Sequence, residues 1–293
     1  MRRSVPAFCR AALLAAAAPL ASQQPASHGE FPAVSPDGRT IAFWARRDSF
    51  PTAYLIGADG SGERRLTSGR TGSPQWSPDG RDVRFAGAGA DSGTVFVVRV
   101  AGGAPRAVAH VPGRSPRLSP DGTRVAFLMG PWTATVLAVS DTGGAALRPI
   151  AGGAGTTAWN AAWSPDGTRL AYTYGDSSHV LQVHVIAADG SGDHAVTHMS
   201  ADQGSAQLPA WSPDGRRLAI QVSNGATHLG HIWVVDLASG ATRQLAPHDS
   251  TWVDEVPAWF PDGKRIAFQS TRTGRTEIWV MNDDGTALRQ VTK

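Results

Sequence analysis

Large apolar residues alternate with a smaller one in six short runs along this chain: Ile41-Ala42-Phe43, Val83-Arg84-Phe85, Val125-Ala126-Phe127, Leu170-Ala171-Tyr172, Leu218-Ala219-Ile220 and Ile266-Ala267-Phe268. Alternation by two puts successive side chains on opposite faces of a strand. One face then carries bulk and the other little, the pattern of a sheet sandwiched between two others. Arg84 interrupts it, and its head is expected to reach past the neighbouring sheet to solvent over a packed stem. No long stretch has the spacing of an amphipathic helix.

A five-residue corner precedes each run. It reads WSPDG at 76–80, 163–167 and 211–215, and recurs with a changed letter at 34–38, 118–122 and 259–263. The corner aspartates stand at 37, 79, 121, 166, 214 and 262, in steps of 42, 42, 45, 48 and 48. Ser suits the first position of a type I turn, Pro fixes φ at the second, and Gly accepts the left-handed backbone that closes a hairpin. Each corner therefore joins a first strand, A, to the alternating second strand, B. A third strand, C, follows, as in His231-Ile-Trp-Val-Val and Glu277-Ile-Trp-Val-Met, then a Gly-rich turn and a short fourth strand, D, as in Leu288-Arg-Gln-Val-Thr. A fixed period of this size marks an array of supersecondary units. The predicted fold is all-β, a six-bladed β-propeller of four-stranded antiparallel blades over 31–293. A linear stack is disfavoured, because neither end unit shows a polar capping face.

W-S-P-D-G, [IVL]-A-[FY], I-W-V-M, D-G-x and R-Q-[LV]-T together resemble the TolB-like, WD40-like (PD40) propeller repeat. The resemblance spans 31–293. It implies the propeller fold and, as a partner class, an envelope protein or peptidoglycan-associated lipoprotein. It does not extend to the separate N-terminal domain of TolB, since only about ten residues are expected between leader and first blade. Related peptidases add a hydrolase domain, and no G-x-S-x-G elbow is present.

The N-terminus reads as a secretory leader: Arg2, Arg3 and Arg10, then the apolar run Ala11–Leu20, then small residues. The expected division is leader 1–21, linker 22–30 and propeller 31–293. The only cysteine, Cys9, falls in the leader, which leaves the mature chain without a disulfide, thiolate metal ligand or cysteine nucleophile. Removing the three leader arginines takes Lys+Arg from 27 to 24 against 24 Asp+Glu. The basic balance thus belongs to the leader and does not point to nucleic acid or to a membrane surface.

Chemistry is expected on the rim formed by B–C and D–A connections, which are long and unlike, whereas the corners are near-identical. Of ten tryptophans, Trp76, Trp163, Trp211, Trp259, Trp233 and Trp279 occupy repeat slots. Trp44, Trp132, Trp159 and Trp252 do not, and all four are expected at connections on that rim, as a surface for a protein or sugar-like ligand. Asp249, Asp254 and Glu255 beside Trp252 would add acceptors. Among the histidines, His184 fills a strand C slot and is expected between blades. His228 and His231 are the candidates for metal or acid/base work, weighed against plain surface residues. The corner aspartates read as turn residues, and Arg124, Arg169, Arg217 and Arg265 as solvated partners of nearby carboxylates or a weak anion-attracting ring.

The favoured function is a non-catalytic, monomeric secreted or periplasmic binding module without cofactor, whose partner is an envelope protein or peptide. A propeller lyase or hydrolase with its pocket on the long-loop rim, built on His228 or His231 with carboxylates of other blades, is the alternative.

Overall fold

A computed structural model describes residues 27–293, apart from 48, 49, 225, 226, 228 and 246–250. The stretch read as a leader, with Cys9, together with His228 and Asp249, lies outside the described residues. The described chain forms six sheets, each of four antiparallel strands taken consecutively from the sequence. It is the six-bladed propeller.

Strand A is the innermost of each blade: Ser27–Val34, Pro74–Trp76, Arg114–Leu118, Thr157–Trp163, Ser205–Trp211 and Asp254–Trp259. Each has a sheet partner on one side only, and the free edges bound the central channel. Proline is tolerated only where no ladder hydrogen bond is lost. Five of the six inner strands carry one two residues before the tryptophan slot: Pro32, Pro74, Pro116, Pro209 and Pro257. The residue one earlier turns left-handed in five blades, with φ of 51–54° at Phe31, Ser115, Asn160, Leu208 and Val256. A register shift accompanies each, so the inner strand is bulged at a fixed level.

The core is not one body but six layers, one between each pair of blades. Leu170 and Tyr172 of blade 4, each 0% exposed, pack on Ala126 of blade 3, also 0%. The same relation joins Ile266 and Phe268 to Ala219, and Ile41 and Phe43 to Ala267. The last pair closes the ring. The strand running from Ser27 begins inside the stretch read as linker, and its first residues brace that seam. The Gly29 amide donates to the Thr276 carbonyl (3.1 Å) and the Phe31 amide to Gln269 Oε1 (2.9 Å). A Cβ at Gly29 would stand 2.7 Å from Ile278. Ser-His-Gly-Glu lacks apolar alternation, because this edge abuts the channel and a neighbouring blade at close range.

The corners behave as predicted. Corner glycines have φ of 65–75°. In five corners the serine hydroxyl donates to its aspartate and accepts from the first amide of strand B, while the aspartate also accepts from the amide two residues on; Ser164, Asp166 and Thr168 are typical. In the sixth, Phe260 replaces serine, and Asp262 binds the Arg265 guanidinium (2.8 Å) instead.

Of the four arginines expected to partner nearby carboxylates, Arg265 pairs with its own corner aspartate and Arg217 with Asp283 of the next blade (2.7 Å), but three of the four also make a further contact. Arg124, Arg169 and Arg217 each donate to the corner glycine carbonyl of the next blade, at 2.7, 3.2 and 2.9 Å. Each also lies over that blade's strand A tryptophan, 4.6–5.0 Å from the ring. Arg84 does not end in solvent either: it donates to the Ser119 carbonyl of the next blade (3.2 Å). The indoles reach the other way, Trp76 to the Ala33 carbonyl, Trp163 to Arg117 and Trp211 to Ala162, at 2.9–3.0 Å. Arginine and tryptophan together clasp consecutive blades.

Two expectations follow from these contacts. Arg169→Met keeps the packed stem and deletes the head, and should cost about 1–2 kcal/mol in urea unfolding. An effect no larger than that of Arg106→Met on an exposed outer strand would remove the clasp from the account. The Ser164 hydroxyl and Thr168 amide hold the Asp166 pKa below the usual carboxylate range, down to about 2. That contribution is full above the unfolded value and fades as pH falls toward 2. Ser164→Ala should therefore move the acid-unfolding midpoint to higher pH; an unchanged midpoint would count against the corner lock.

Candidate binding site at the channel mouth

The bulge turns the inner strands' polar residues toward one end of the channel, where the B–C and D–A connections lie. Position four before the tryptophan slot pairs with strand B there: Glu30 with Trp44, Trp159 with Thr173, Gln207 with Gln221, Glu255 with Gln269. Across blades 5, 6 and 1 these side chains form one hydrogen-bonded band. Gln207 meets Gln221 Oε1 at 3.4 Å, Glu255 bonds Gln221, and the Gln269 amide donates to Glu255 at 2.8 Å. Gln269 in turn accepts from the Phe31 amide of blade 1. Gln221 is seated because residue 230 is glycine: a Cβ there would lie 2.2 Å from its Nε2. Burial pushes the Glu255 pKa up, its amide partners pull it back in part, and neighbouring Asp254 adds to the rise. A carboxyl so placed can donate as well as accept.

The four off-pattern tryptophans divide among three places. Trp44 lies within strand B of blade 1 (Thr40–Arg46), not in a connection. It meets Phe31 edge-on at 5.5 Å and donates to the Thr71 carbonyl at 2.9 Å. Trp159 also stands in a strand, and its indole donates to the Thr135 hydroxyl at 3.3 Å. Thr135 accepts from Arg114 as well (3.1 Å), and Arg114 lies 4.0 Å from the ring of Trp132. Trp132, in the short 3-10 turn Trp132–Ala134, is 40% exposed, and among the described residues no other large hydrophobic side chain is as open. Trp252 faces the Arg272 guanidinium at 4.8 Å, with Trp279 at 5.9 Å. Asp254, expected beside it as an open acceptor, is 2% exposed and bonded to Arg272 through both oxygens (3.1 and 2.5 Å). A buried carboxylate needs such a partner.

His184 is half-buried between its own blade's side chains, stacked on Tyr174 at 4.4 Å and 3.2 Å from Asp193. His231 is 7% exposed in strand C of blade 5. Among the described residues, no three His, Cys, Asp or Glu side chains come together as metal ligands would. The amide band escaped the sequence reading, although Gln207, Gln221, Glu255 and Gln269 recur at matched repeat positions. That regularity was the available signal.

The fold and this mouth define a propeller with one uniform rim of near-identical corners and one varied rim. A family model described as the TolB beta propeller domain matches residues 123–293, more than half of the chain. The chain belongs to that family. Among solved structures it is similar to a putative TolB from Agrobacterium tumefaciens, at 22% identity and a TM-score of 0.63, over 78% of this chain and 84% of that one. It is similar too to TolB from Acinetobacter baumannii, at 18% identity and a TM-score of 0.67, over 92% of this chain but 63% of that protein. An oligogalacturonate lyase in complex with manganese shares 17% identity with a TM-score of 0.61, over 92% of this chain and 78% of that one. At these identities the likeness is one of fold. No curated protein sequence compared with the chain matches it.

The band carries its own pH signature. Because the Glu255 pKa is raised in the fold, the unfolded chain ionises it first as pH climbs, and stability is lost through the interval up to the folded value. Glu255→Gln should therefore raise the melting temperature at pH 7 relative to wild type, with the gain shrinking by pH 4. A variant that melts lower than wild type at pH 7 would show that the ionised carboxylate is what the band requires.

Proposed function

We propose that this chain is a binding module of the bacterial cell envelope, a monomer that takes a protein or peptide on its long-loop rim and performs no chemistry itself. Membership of the TolB propeller family and the leader-like N-terminus support the location. Among the described residues no helix is long and apolar enough to cross a membrane. The observation that carries the reading is the exposed indole of Trp132, braced from behind by Arg114. Tryptophan and arginine dominate the energetics of protein interfaces, and a rigidly held ring loses little entropy on docking. The Gln–Glu band of blades 5, 6 and 1 offers further hydrogen-bonding groups at the channel mouth.

Capture of an envelope partner on immobilised full-length chain tests this, with the captured protein then purified and titrated. Trp132→Ala should weaken its affinity at least about tenfold and leave the melting temperature in place. Trp44→Ala should instead cost about 2 kcal/mol of stability through lost packing. Equal affinity of wild type and Trp132→Ala for the purified partner would reject the rim as its docking site.

A further inference from the structure

At the other end of the channel, one residue before the tryptophan slot, the inner strands present Ala33, Gln75, Arg117, Ala162, Ala210 and Ala258. All six retain partial exposure, while the prolines one residue earlier are buried. This level of the strand therefore faces channel water, and four of its six side chains are methyl groups. Arg117 stands alone among them. Its backbone carbonyl accepts from Trp163, but among the described residues its guanidinium has no hydrogen-bond, ion-pair or ring partner. The nitrogens are not sealed from solvent either. Every other arginine pointing between blades at the corner level, from Arg84 to Arg217, ends on a carbonyl. Burial lowers the Arg117 pKa with no charged neighbour contributing. A permanently charged fork held in a protein-walled channel with nothing to neutralise it costs stability.

We propose that Arg117 is a carboxylate-binding site inside the channel, reached from the corner rim. One guanidinium with no second charge at hand matches a monoanion, and its planar fork matches the two oxygens of a carboxylate. Gln75 at the same level of the adjacent blade and the exposed Ser115 two residues earlier on the same strand are neutral donors along the inner edge. The alanines opposite leave room for the group that bears the carboxylate. It is either a small free acid or an acidic side chain inserted by a partner. The site is independent of the long-loop rim, so either can fail alone.

The test uses the full chain with ¹⁵N-labelled arginine side chains. Acetate should move one Nε–Hε resonance saturably, the resonance missing in Arg117→Gln, and acetamide should not move it. Arg117→Lys keeps the charge without the fork and should bind acetate about tenfold more weakly. Arg117→Gln should melt at the same temperature as wild type or higher, whereas a structural arginine would lower it. A blocked peptide with a single glutamate, compared with its glutamine counterpart, separates the sources. Glutamate-dependent binding at least ten times tighter than acetate assigns an inserted side chain, and binding no tighter assigns a free acid. No saturable response to acetate or peptide, an equal response to acetamide, preference for inorganic phosphate, or a lower melting temperature for Arg117→Gln overturns the proposal.

Discussion

The seating of a bulky strand face on an alanine face is the contact from which the rest of this molecule follows. It works because the sidedness is the same in every blade: bulk faces the preceding blade, and alanine faces the next except in blade 2, where Arg84 takes its place. A blade so made cannot satisfy itself, since its two faces are unlike and each needs the other kind. Only a closed ring leaves neither face open, and it closes where Ile41 and Phe43 meet Ala267. Fully buried alanines at this contact leave no slack, because interiors are packed to near-crystal density. The clasps are secondary to that fit, as the interface between blades 2 and 3 shows. Asp82 stands there at the position of Arg124, and Leu118 stands in the tryptophan slot. Arg84, two residues along the same face, makes the reach to the next blade instead. Valine and phenylalanine still seat normally beside it.

This explains what could be read from the chain alone. Alternation, corner chemistry and period are local, and each repeats six times, so blade count, strand order and corner geometry were all legible. The arginine clasps were not, because Arg169 and its acceptor Gly215 are a blade apart in sequence. Viewed within one repeat, an arginine beside Pro-Asp-Gly reads as a partner for a nearby aspartate. Among Arg124, Arg169, Arg217 and Arg265 only the last behaves that way, where Phe260 has displaced the serine that otherwise occupies the carboxylate. The first strand was likewise placed late, at Phe31, because Ser27–Glu30 carries no apolar alternation; its pairing is set by the seam with the last blade.

The tryptophans show a subtler limit. Absence from a repeat slot correctly marked four of them as unusual, yet unusual sequence position does not fix exposure. Trp44, Trp159 and Trp252 lie against neighbours that the repeat does not encode: the Thr71 carbonyl, Thr135 and Arg272. Trp132 differs because it sits on a short 3-10 turn that lifts it beyond the blade ends, with Arg114 beneath. Arg114 is itself tied to the Gly130 carbonyl and Thr135. The exposed ring therefore rests on a fixed platform, and a fixed platform is what distinguishes an anchor from a loose surface aromatic.

The two ends of the channel differ for a reason that lies in strand A itself. Upstream of the bulge, strand A pairs in regular register with strand B, so polar residues there, such as Gln207 and Glu255, find amide partners at the same level. Downstream, the proline and the small residues bring the strands close to their neighbours. A polar group there has only the channel to turn to. Alanine suits that level and four blades use it. The bulge thus divides a single strand into a half that satisfies its own polar groups and a half that must leave any such group to the channel. Among the described residues Arg117 is the one cation so left, and the same geometry that denies it a protein partner there leaves its fork to the channel.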